Sequence, residues 1–195
     1  MTPAATSVLV AALVGAAPLG AILLGLDRKL TARLQSRVGP PLVQPFYDIA
    51  KLLRKQPLLL NRLQPAYVLL HVALTLATVA ILATGGDMLL ALFTHAFAAI
   101  SLILGALCVR SPYSRIGAQR KIMTMLAYEP ILLLMVLGIE QVTGSFSASS
   151  VISHGRPLLF ELPLVFLAFT VVLGIKLEKS PFDVASSHHA HQDRK

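Results

Sequence analysis

Long apolar blocks are the feature of this sequence that most constrains its fold. A helix rises about 1.5 Å per residue, so about 20 apolar residues cross a hydrocarbon core roughly 30 Å thick. Of the 195 residues, 55% are hydrophobic and only 13% are charged, whereas soluble domains average about 25% charged residues. The sequence therefore predicts an all-α, polytopic membrane protein that forms a single membrane domain. The blocks predict about five transmembrane helices, at residues 3–26, 66–84, 88–109, 122–139 and 158–175.

Basic residues are concentrated in three segments that separate the apolar blocks. Of the 17 Lys and Arg residues, eight lie in 28–62, four in 110–121 and four in the tail, 176–195, with Arg156 as the exception. Five spans place these three segments on one side of the membrane, and the positive-inside rule makes that side cytoplasmic. The net charge of +8 then reflects membrane topology. We expect no nucleic-acid partner, because no soluble basic domain is available to bind one.

The basic segment after the first block contains an amphipathic pattern. Between about residues 41 and 55, apolar residues recur at helical spacing on one face and charged residues occupy the other. This pattern predicts an interfacial helix on the cytoplasmic side, with Pro40 and Pro41 suited to its start and Pro57 to its end. A surface-lying linker and a functional lid are equally compatible with it. The apolar positions are Leu42, Phe46, Ile49 and Leu53, and the charged positions are Asp48, Lys51, Arg54 and Lys55.

A single cysteine, Cys108, limits the redox chemistry of the chain. Iron-sulfur and nickel-iron centres require several thiolates, so any such centre must belong to a partner. His71 and His95 lie in successive predicted spans, but their depths differ by roughly 10 Å, so one haem iron could not bind both. We expect both histidines to serve helix packing and the chain itself to hold no metal or cofactor.

Glu129 is the only carboxylate well inside a predicted span. A charged side chain in the bilayer is costly, and such residues usually pair with another group or mark an ion path. Pro130 removes a backbone hydrogen bond beside Glu129, which favours a kink or a hydrated backbone. A carboxyl group held away from water can exchange protons near neutral pH. The pattern favours a proton relay over a structural Glu paired with Arg or Tyr, with Glu140 and Glu161 as weaker candidates for the exit side of the proton path.

Three cytoplasmic stretches carry motifs in a fixed order between the predicted spans. The first is Asp-Arg-Lys at 27–29, continuing to Arg-Val-Gly-Pro at 37–40. The second is Ser-Pro-Tyr at 111–113, leading to Gly-Ala-Gln-Arg at 117–120 and Tyr-Glu at 128–129, and the third is Lys-Ser-Pro-Phe-Asp at 179–183. Together they resemble the NADH dehydrogenase subunit one family, the complex I membrane subunit that meets the peripheral arm. The resemblance covers nearly the whole chain.

The tail indicates a branch of that family. After the Ser-Pro-Phe-Asp motif, complex I members carry an acidic stretch, whereas this chain has Ser-Ser-His-His-Ala-His-Gln at 186–192. This run is similar to the branch found in energy-converting nickel-iron hydrogenases and formate hydrogenlyase. The resemblance implies the membrane subunit of such a hydrogenase, with quinone-reducing complex I and a purely structural anchor as alternatives. The three histidines could bind a metal, but histidines on an exposed basic tail are more often surface residues, so we expect none.

The resemblance implies roles for individual residues. Glu129 matches the family's membrane glutamate, part of the charged path between the redox arm and the membrane arm. Asp183 matches an acid of the loop that lines the family's cavity, and it completes a predicted proton path with Glu129, Glu140 and Glu161. The residues expected to line the cavity or to dock the peripheral module are Arg37, Gly39, Pro40, Tyr113, Arg115, Arg120, Lys179, His188, His189 and His191.

The resemblance also implies partners and shows two departures from the family. The expected partners are the hydrogenase large and small subunits, an iron-sulfur subunit and an antiporter-like membrane subunit, all at a prokaryotic inner membrane. The nickel-iron centre and the iron-sulfur clusters are expected in those partners, and no catalytic centre in this chain. Asp27 and Lys176 stand where complex I members carry Glu, which predicts a rearranged acid path. The chain ends at Lys195, where relatives continue, which indicates a shortened subunit.

Overall fold

The computed structural model describes residues 3–56, 61 and 63–177, with side chains described from residue 11 onward except at residue 13. Over these residues the chain forms eight helices and no strand longer than one isolated bridge, which confirms the all-α prediction. Two compact units can be distinguished, Met1–Leu58 and Leu59–Lys195. The helices are α1 (Pro3–Leu34), α2 (Gln44–Leu53), α3 (Leu63–Ala83), α4 (Met88–Leu107), α5 (Pro112–Thr143), α6 (Ala148–Ser153), α7 (Leu158–Glu161) and α8 (Pro163–Lys176).

In the first unit, α1 ends in a turn that reverses the chain. Ser36 adopts a left-handed conformation with φ of +56°. The Arg37 amide donates to the carbonyl oxygen of Ala32 at 2.8 Å, the 6→1 bond of a Schellman motif. Gly39 then packs on α1 so closely that a Cβ atom there would lie 2.9 Å from the Cβ of Ala32. The glycine therefore allows the backbone to return along the helix that it has just left.

The helix predicted near 41–55 is present as α2, at Gln44–Leu53. Asp48 joins it to α1 and to its own first turn: one carboxylate oxygen accepts from Gln44 Nε2 at 3.1 Å, and the other lies 3.1 Å from Arg28 Nη1. Both members of the Arg28–Asp48 ion pair are 45% exposed, so the pair contributes about 0–1 kcal/mol. The location of α2 at a membrane interface stays a prediction.

In the second unit, α3 and α4 pack together over most of their length. Small residues on α4 recur every seven positions and are buried, at Ala91, Ala98 and Gly105. The hydroxyl groups of Thr78 and Thr94 lie 3.1 Å apart across the interface. Small side chains and interhelical hydrogen bonds are what hold apolar helices together where water provides no driving force. Both helices agree closely with the predicted spans at 66–84 and 88–109.

The helix that contains the predicted span at 122–139 is longer than the span, because α5 begins ten residues earlier, at Pro112. Ser111 takes the extended N-cap conformation and Pro112 occupies the first turn, where its missing N–H costs no hydrogen bond. Arg and Lys are good helix formers, so the basic residues after Pro112 continue the helix that hydropathy alone places in lipid. Tyr113, Arg115 and Arg120 consequently lie in a helix and not in a loop.

The fifth apolar block is not one continuous helix. It divides into α7 and α8 at Leu162, whose φ of −129° and ψ of 60° are not helical and which precedes Pro163. The 14 residues of α8 rise only about 21 Å, less than the thickness of the hydrocarbon core. Within the described part of the chain, α3, α4 and α5 are long and apolar enough to cross a membrane, and α8 is a shorter apolar helix. The count of five spans stays a prediction.

The turn between α3 and α4 contacts the loop after α5. The amide of Met88 donates to Phe146 O, and that of Ala148 donates to Gly86 O, both at 2.8 Å. Asp87 caps α4 by accepting from Leu89 N at 2.7 Å. These bonds place the two connections at the same end of the second unit, as the alternation of basic and non-basic segments predicts.

Candidate functional site

A cavity of about 270 Å³ between α3, α4, α5 and α8 is lined largely by ionisable side chains. Ionisable groups among apolar helices are rare and usually face a partner or a hydrated space. A volume of this size can hold several water molecules at about 30 Å³ each. The lining consists of His71 from α3, His95, Ala99 and Leu102 from α4, Lys121 and Tyr128 from α5, and Lys176 from α8.

The register of the helices explains why these residues meet. Lys121 and Tyr128 are seven positions apart, so they lie on the same face of α5. On that helix Gly138 packs against Val165 of α8, and ten residues back along α5 Tyr128 meets Lys176. The two helices therefore run antiparallel, and the C-terminal end of α8 reaches only the level of Tyr128. This brings the Lys176 ammonium to the middle of α5.

Glu129 lies beside this cavity in an unusual environment. Both of its carboxylate oxygens are buried, and among the described residues neither has a hydrogen-bond partner. Lys176 is the cation that attracts its charge. A buried polar group without hydrogen bonds costs about 1–3 kcal/mol, and more when it is charged. Glu129 therefore needs a proton or a counter-ion.

The two histidines differ in how they are held. His71 Nδ1 lies 2.8 Å from the main-chain oxygen of Ala98, which gives His71 the packing role predicted for it. Ala98 lies three residues beyond His95 in α4, and both histidine side chains line one cavity. That no haem iron is bound between them stays a prediction. In the described part of the chain no three His, Cys, Asp or Glu residues converge as a metal site.

The other predicted members of the proton path are not brought to Glu129. Glu140 lies in the last turns of α5, about 16 Å farther along the helix. Glu161 ends α7, where its carboxylate lies 2.7 Å from His154 Nε2, so it belongs to the loop. Asp183 falls outside the described residues, as do Lys179, His188, His189 and His191.

The predicted docking residues belong to different units. Arg37, Gly39 and Pro40 follow α1 in the first unit. Tyr113, Arg115 and Arg120 occupy the first turns of α5 in the second unit, and all three are exposed. Beside them a cavity of about 400 Å³ is lined by Arg110, Arg115 and five neighbours between residues 109 and 119.

Sequence reasoning did not assign Lys121 and Lys176 to the site. The available signal for Lys121 was its spacing of seven and eight residues from Tyr128 and Glu129, which puts it on the same helix face. The available signal for Lys176 was that it stands, at the end of the last apolar block, where complex I members carry Glu. Its proximity to Glu129 depends on where α8 packs on α5, which a single sequence does not reveal.

Apolar helices around ionisable side chains define the class of this protein as a helical membrane protein with a polar internal site. The sequence profile of the NADH dehydrogenase family matches residues 6–190, and the chain belongs to that family. This confirms the resemblance carried by the three motifs between the predicted spans.

Individual relatives narrow the comparison. The chain is 34% identical over 189 residues to formate hydrogenlyase subunit 4 of Escherichia coli (strain K12), covering 88% of this chain and 61% of the relative. It is 31% identical over 187 residues to hydrogenase-4 component C of the same strain, covering 87% of this chain and 58% of the relative. The chain thus spans about three fifths of the length of these two proteins, with coverage of 61% and 58%.

A solved structure agrees in fold. In the membrane-bound sulfane sulfur reductase, an archaeal respiratory membrane complex, one chain superposes with a TM-score of 0.85 at 26% identity, covering 95% of this chain and 66% of that one. The chain is therefore a membrane protein related to subunits of hydrogenase-like and complex I-like respiratory complexes.

Proposed function

We propose that this chain is the membrane-anchoring and proton-coupling subunit of a membrane-bound nickel-iron hydrogenase, of the energy-converting or formate hydrogenlyase type. The observation that carries the proposal is the Glu129 carboxylate, which is buried without a hydrogen-bond partner among the described residues, beside a cavity lined by His95, Lys121 and Lys176. The names of two relatives, formate hydrogenlyase subunit 4 and hydrogenase-4 component C, support the choice of complex. With one cysteine, the chain cannot hold the nickel-iron centre or the iron-sulfur clusters, which belong to partner subunits.

In the proposed topology five spans cross a prokaryotic inner membrane. The basic segments, including α2 as an interfacial helix, lie on the cytoplasmic side. The asymmetric distribution of the 17 Lys and Arg residues supports this orientation. The turn before α4 and the loop after α5 then lie together on the opposite side, consistent with the hydrogen bonds between them.

Coupling in this proposal is electrostatic. A change of redox state in the peripheral module alters the charge near the cavity, and Glu129 responds by taking up or releasing a proton. The cavity, with room for several waters, supplies the path between Glu129 and the basic side. The peripheral module comprises the large, small and iron-sulfur subunits, and an antiporter-like subunit adjoins the chain in the membrane. Docking uses the exposed basic start of α5, including Arg115 and Arg120.

The test is replacement of Glu129 by Gln, which keeps the shape of the side chain and removes its ability to ionise. In vesicles that contain the complete complex, Glu129→Gln is expected to abolish proton movement while hydrogen-dependent dye reduction by the peripheral module persists. Glu129→Asp retains an acid and is expected to retain part of the proton movement. Unchanged proton movement in Glu129→Gln would exclude the relay and favour a purely structural anchor.

A second candidate is the corresponding subunit of a proton-pumping NADH-quinone oxidoreductase, which the name of the matched family favours. The two candidates differ in what accompanies the chain in its native complex. Isolation of the complex in mild detergent is expected to yield nickel and hydrogen-dependent dye reduction. Flavin with NADH-quinone reductase activity, in the absence of nickel, would select the second candidate.

A further inference from the structure

Lys176 ends α8 directly against the part of α5 that carries Tyr128 and Glu129. Its ammonium nitrogen lies 5.1 Å from the centroid of the Tyr128 ring. An ammonium within about 6 Å of an aromatic centroid is attracted to the negative face of the ring. Tyr128 is only 3% exposed, so its ring is a fixed platform for the ammonium.

Glu129 follows Tyr128 immediately in the chain, and Lys176 attracts its carboxylate. Because both carboxylate oxygens are buried and lack a donor among the described residues, an ionised Glu129 depends on a nearby cation. Removal of the cation nearest a buried carboxylate leaves the negative charge uncompensated, which is strongly destabilising. Lys176 is placed to provide that compensation.

The remaining charged groups around the cavity act on Lys176 in the opposite direction. Lys121 of α5 repels the Lys176 ammonium. His95 of α4, with His71 of α3 near it, faces the same cavity and would repel further positive charge when protonated. Lys176 therefore stays beside α5 only while Glu129 and the Tyr128 ring attract it more strongly than these cations repel it.

We propose that Lys176 is the counter-ion of Glu129, a positioning residue that holds the carboxylate in its ionised form between proton transfers and is released toward the cavity when Glu129 is protonated. The inference rests on the proposed role of Glu129 as a proton carrier. No other bond changes: the carboxylate gains one proton from the cavity water and later returns it. The positive charge of Lys176 thereby links the protonation state of Glu129 to the charge on the side chains that line the cavity.

Infrared spectroscopy of the intact complex tests this directly. The carbonyl band of a protonated carboxyl group is assigned to Glu129 by its absence in Glu129→Gln. In Lys176→Gln the pH at which this band is lost is expected to rise by about one unit or more, since a nearby cation is no longer available to favour the carboxylate. Lys176→Arg keeps the charge and is expected to restore the original midpoint. Lys51→Gln is the matched control, because it removes a lysine of α2 that does not line the cavity, and an unchanged midpoint is expected. An unchanged midpoint in Lys176→Gln would overturn the proposal.

A second measurement applies if Lys176→Gln fails to assemble. The double variant Glu129→Gln/Lys176→Gln removes both charges, so it is expected to assemble better than Lys176→Gln alone. If the loss of assembly in the double variant equalled the sum of the losses in Glu129→Gln and Lys176→Gln, the result would contradict a pairing of the two residues. The infrared midpoint reports on the counter-ion, and proton movement in Glu129→Gln reports on the relay. If the midpoint shifts in Lys176→Gln while Glu129→Gln still moves protons normally, the Glu129–Lys176 pair is supported and the relay is excluded. If the midpoint is unchanged in Lys176→Gln while Glu129→Gln moves no protons, the relay is supported and the pair is excluded.

Discussion

Nδ1 of His71 lies 2.8 Å from the main-chain oxygen of Ala98, so α3 donates a hydrogen bond to the backbone of α4 within the apolar part of the second unit. A carbonyl oxygen only accepts, so Nδ1 carries the proton in this contact. The ring is thereby fixed with respect to the cavity that it lines. The His71 side chain thus both holds α3 against α4 and forms part of the cavity wall.

His71→Leu is expected to lower the stability of the α3–α4 pair by about 1 kcal/mol, because it removes the only hydrogen bond that α3 donates to the Ala98 oxygen among the described residues. That oxygen still accepts from the Ser101 hydroxyl of α4 at 2.7 Å. His71→Gln retains a side-chain donor and is expected to lose less. Thermal unfolding of the detergent-solubilised chain measures both variants. Equal midpoints for His71→Leu and the unmodified chain would show that the bond contributes nothing.

The sequence predicted the parts of this fold that depend on local pattern and missed those that depend on helix register. Hydropathy located α3 and α4 closely, because each is apolar throughout and ends at turn residues. The fourth span was predicted to begin at residue 122, ten residues after the start of α5, since hydropathy detects the apolar portion of a helix and not the whole helix. Pro163 was the available signal for the break at Leu162, because a proline disfavours the helical conformation of the residue before it. Of the candidate site, the sequence identified Glu129. It did not place Lys176 near Glu129, because that proximity depends on how far α8 extends along α5.

Gly25 allows close contact between α1 and the segment that follows it. A Cβ atom at this position would collide with the main-chain oxygen of Leu42, and backbone cannot rotate away as a side chain can. Gly25→Ala is therefore expected to destabilise the first unit by about 1–3 kcal/mol. Gly20 lies in the same helix, and nothing lies within 4 Å of the position that a Cβ atom would take there. Gly20→Ala is the matched control and is expected to be neutral or stabilising by about 0.5–1 kcal/mol.

Limited proteolysis measures this difference through cleavage between α1 and α2. Gly25→Ala is expected to accelerate cleavage there, and Gly20→Ala is not. If both variants were cleaved at the rate of the unmodified chain, the close approach of Leu42 to α1 would have no energetic role.

Three crossings by α3, α4 and α5 predict that Gln56 and Ser149 lie on opposite sides of the membrane. Both residues are exposed. In a Cys108→Ser background, which removes the chain's only cysteine, a membrane-impermeant maleimide is expected to label Ser149→Cys in intact cells and Gln56→Cys only in inverted vesicles. The reverse result would invert the orientation expected from the basic segments, and labelling of both positions from one side would contradict an odd number of crossings.

In the proposed hydrogenase complex, the basic start of α5 is expected to retain the peripheral module by charge. Arg115 and Arg120 are exposed, and charges on an interface rim act through attraction that falls off over a Debye length of about 8 Å at physiological salt. Arg115→Glu/Arg120→Glu is therefore expected to release hydrogenase activity from washed membranes at moderate salt, whereas the unmodified chain retains it. Arg156, exposed on the loop after α6, lies outside the three basic segments, and Arg156→Glu is the control expected to retain full activity. Equal retention by all three proteins would show that the module docks elsewhere on the chain.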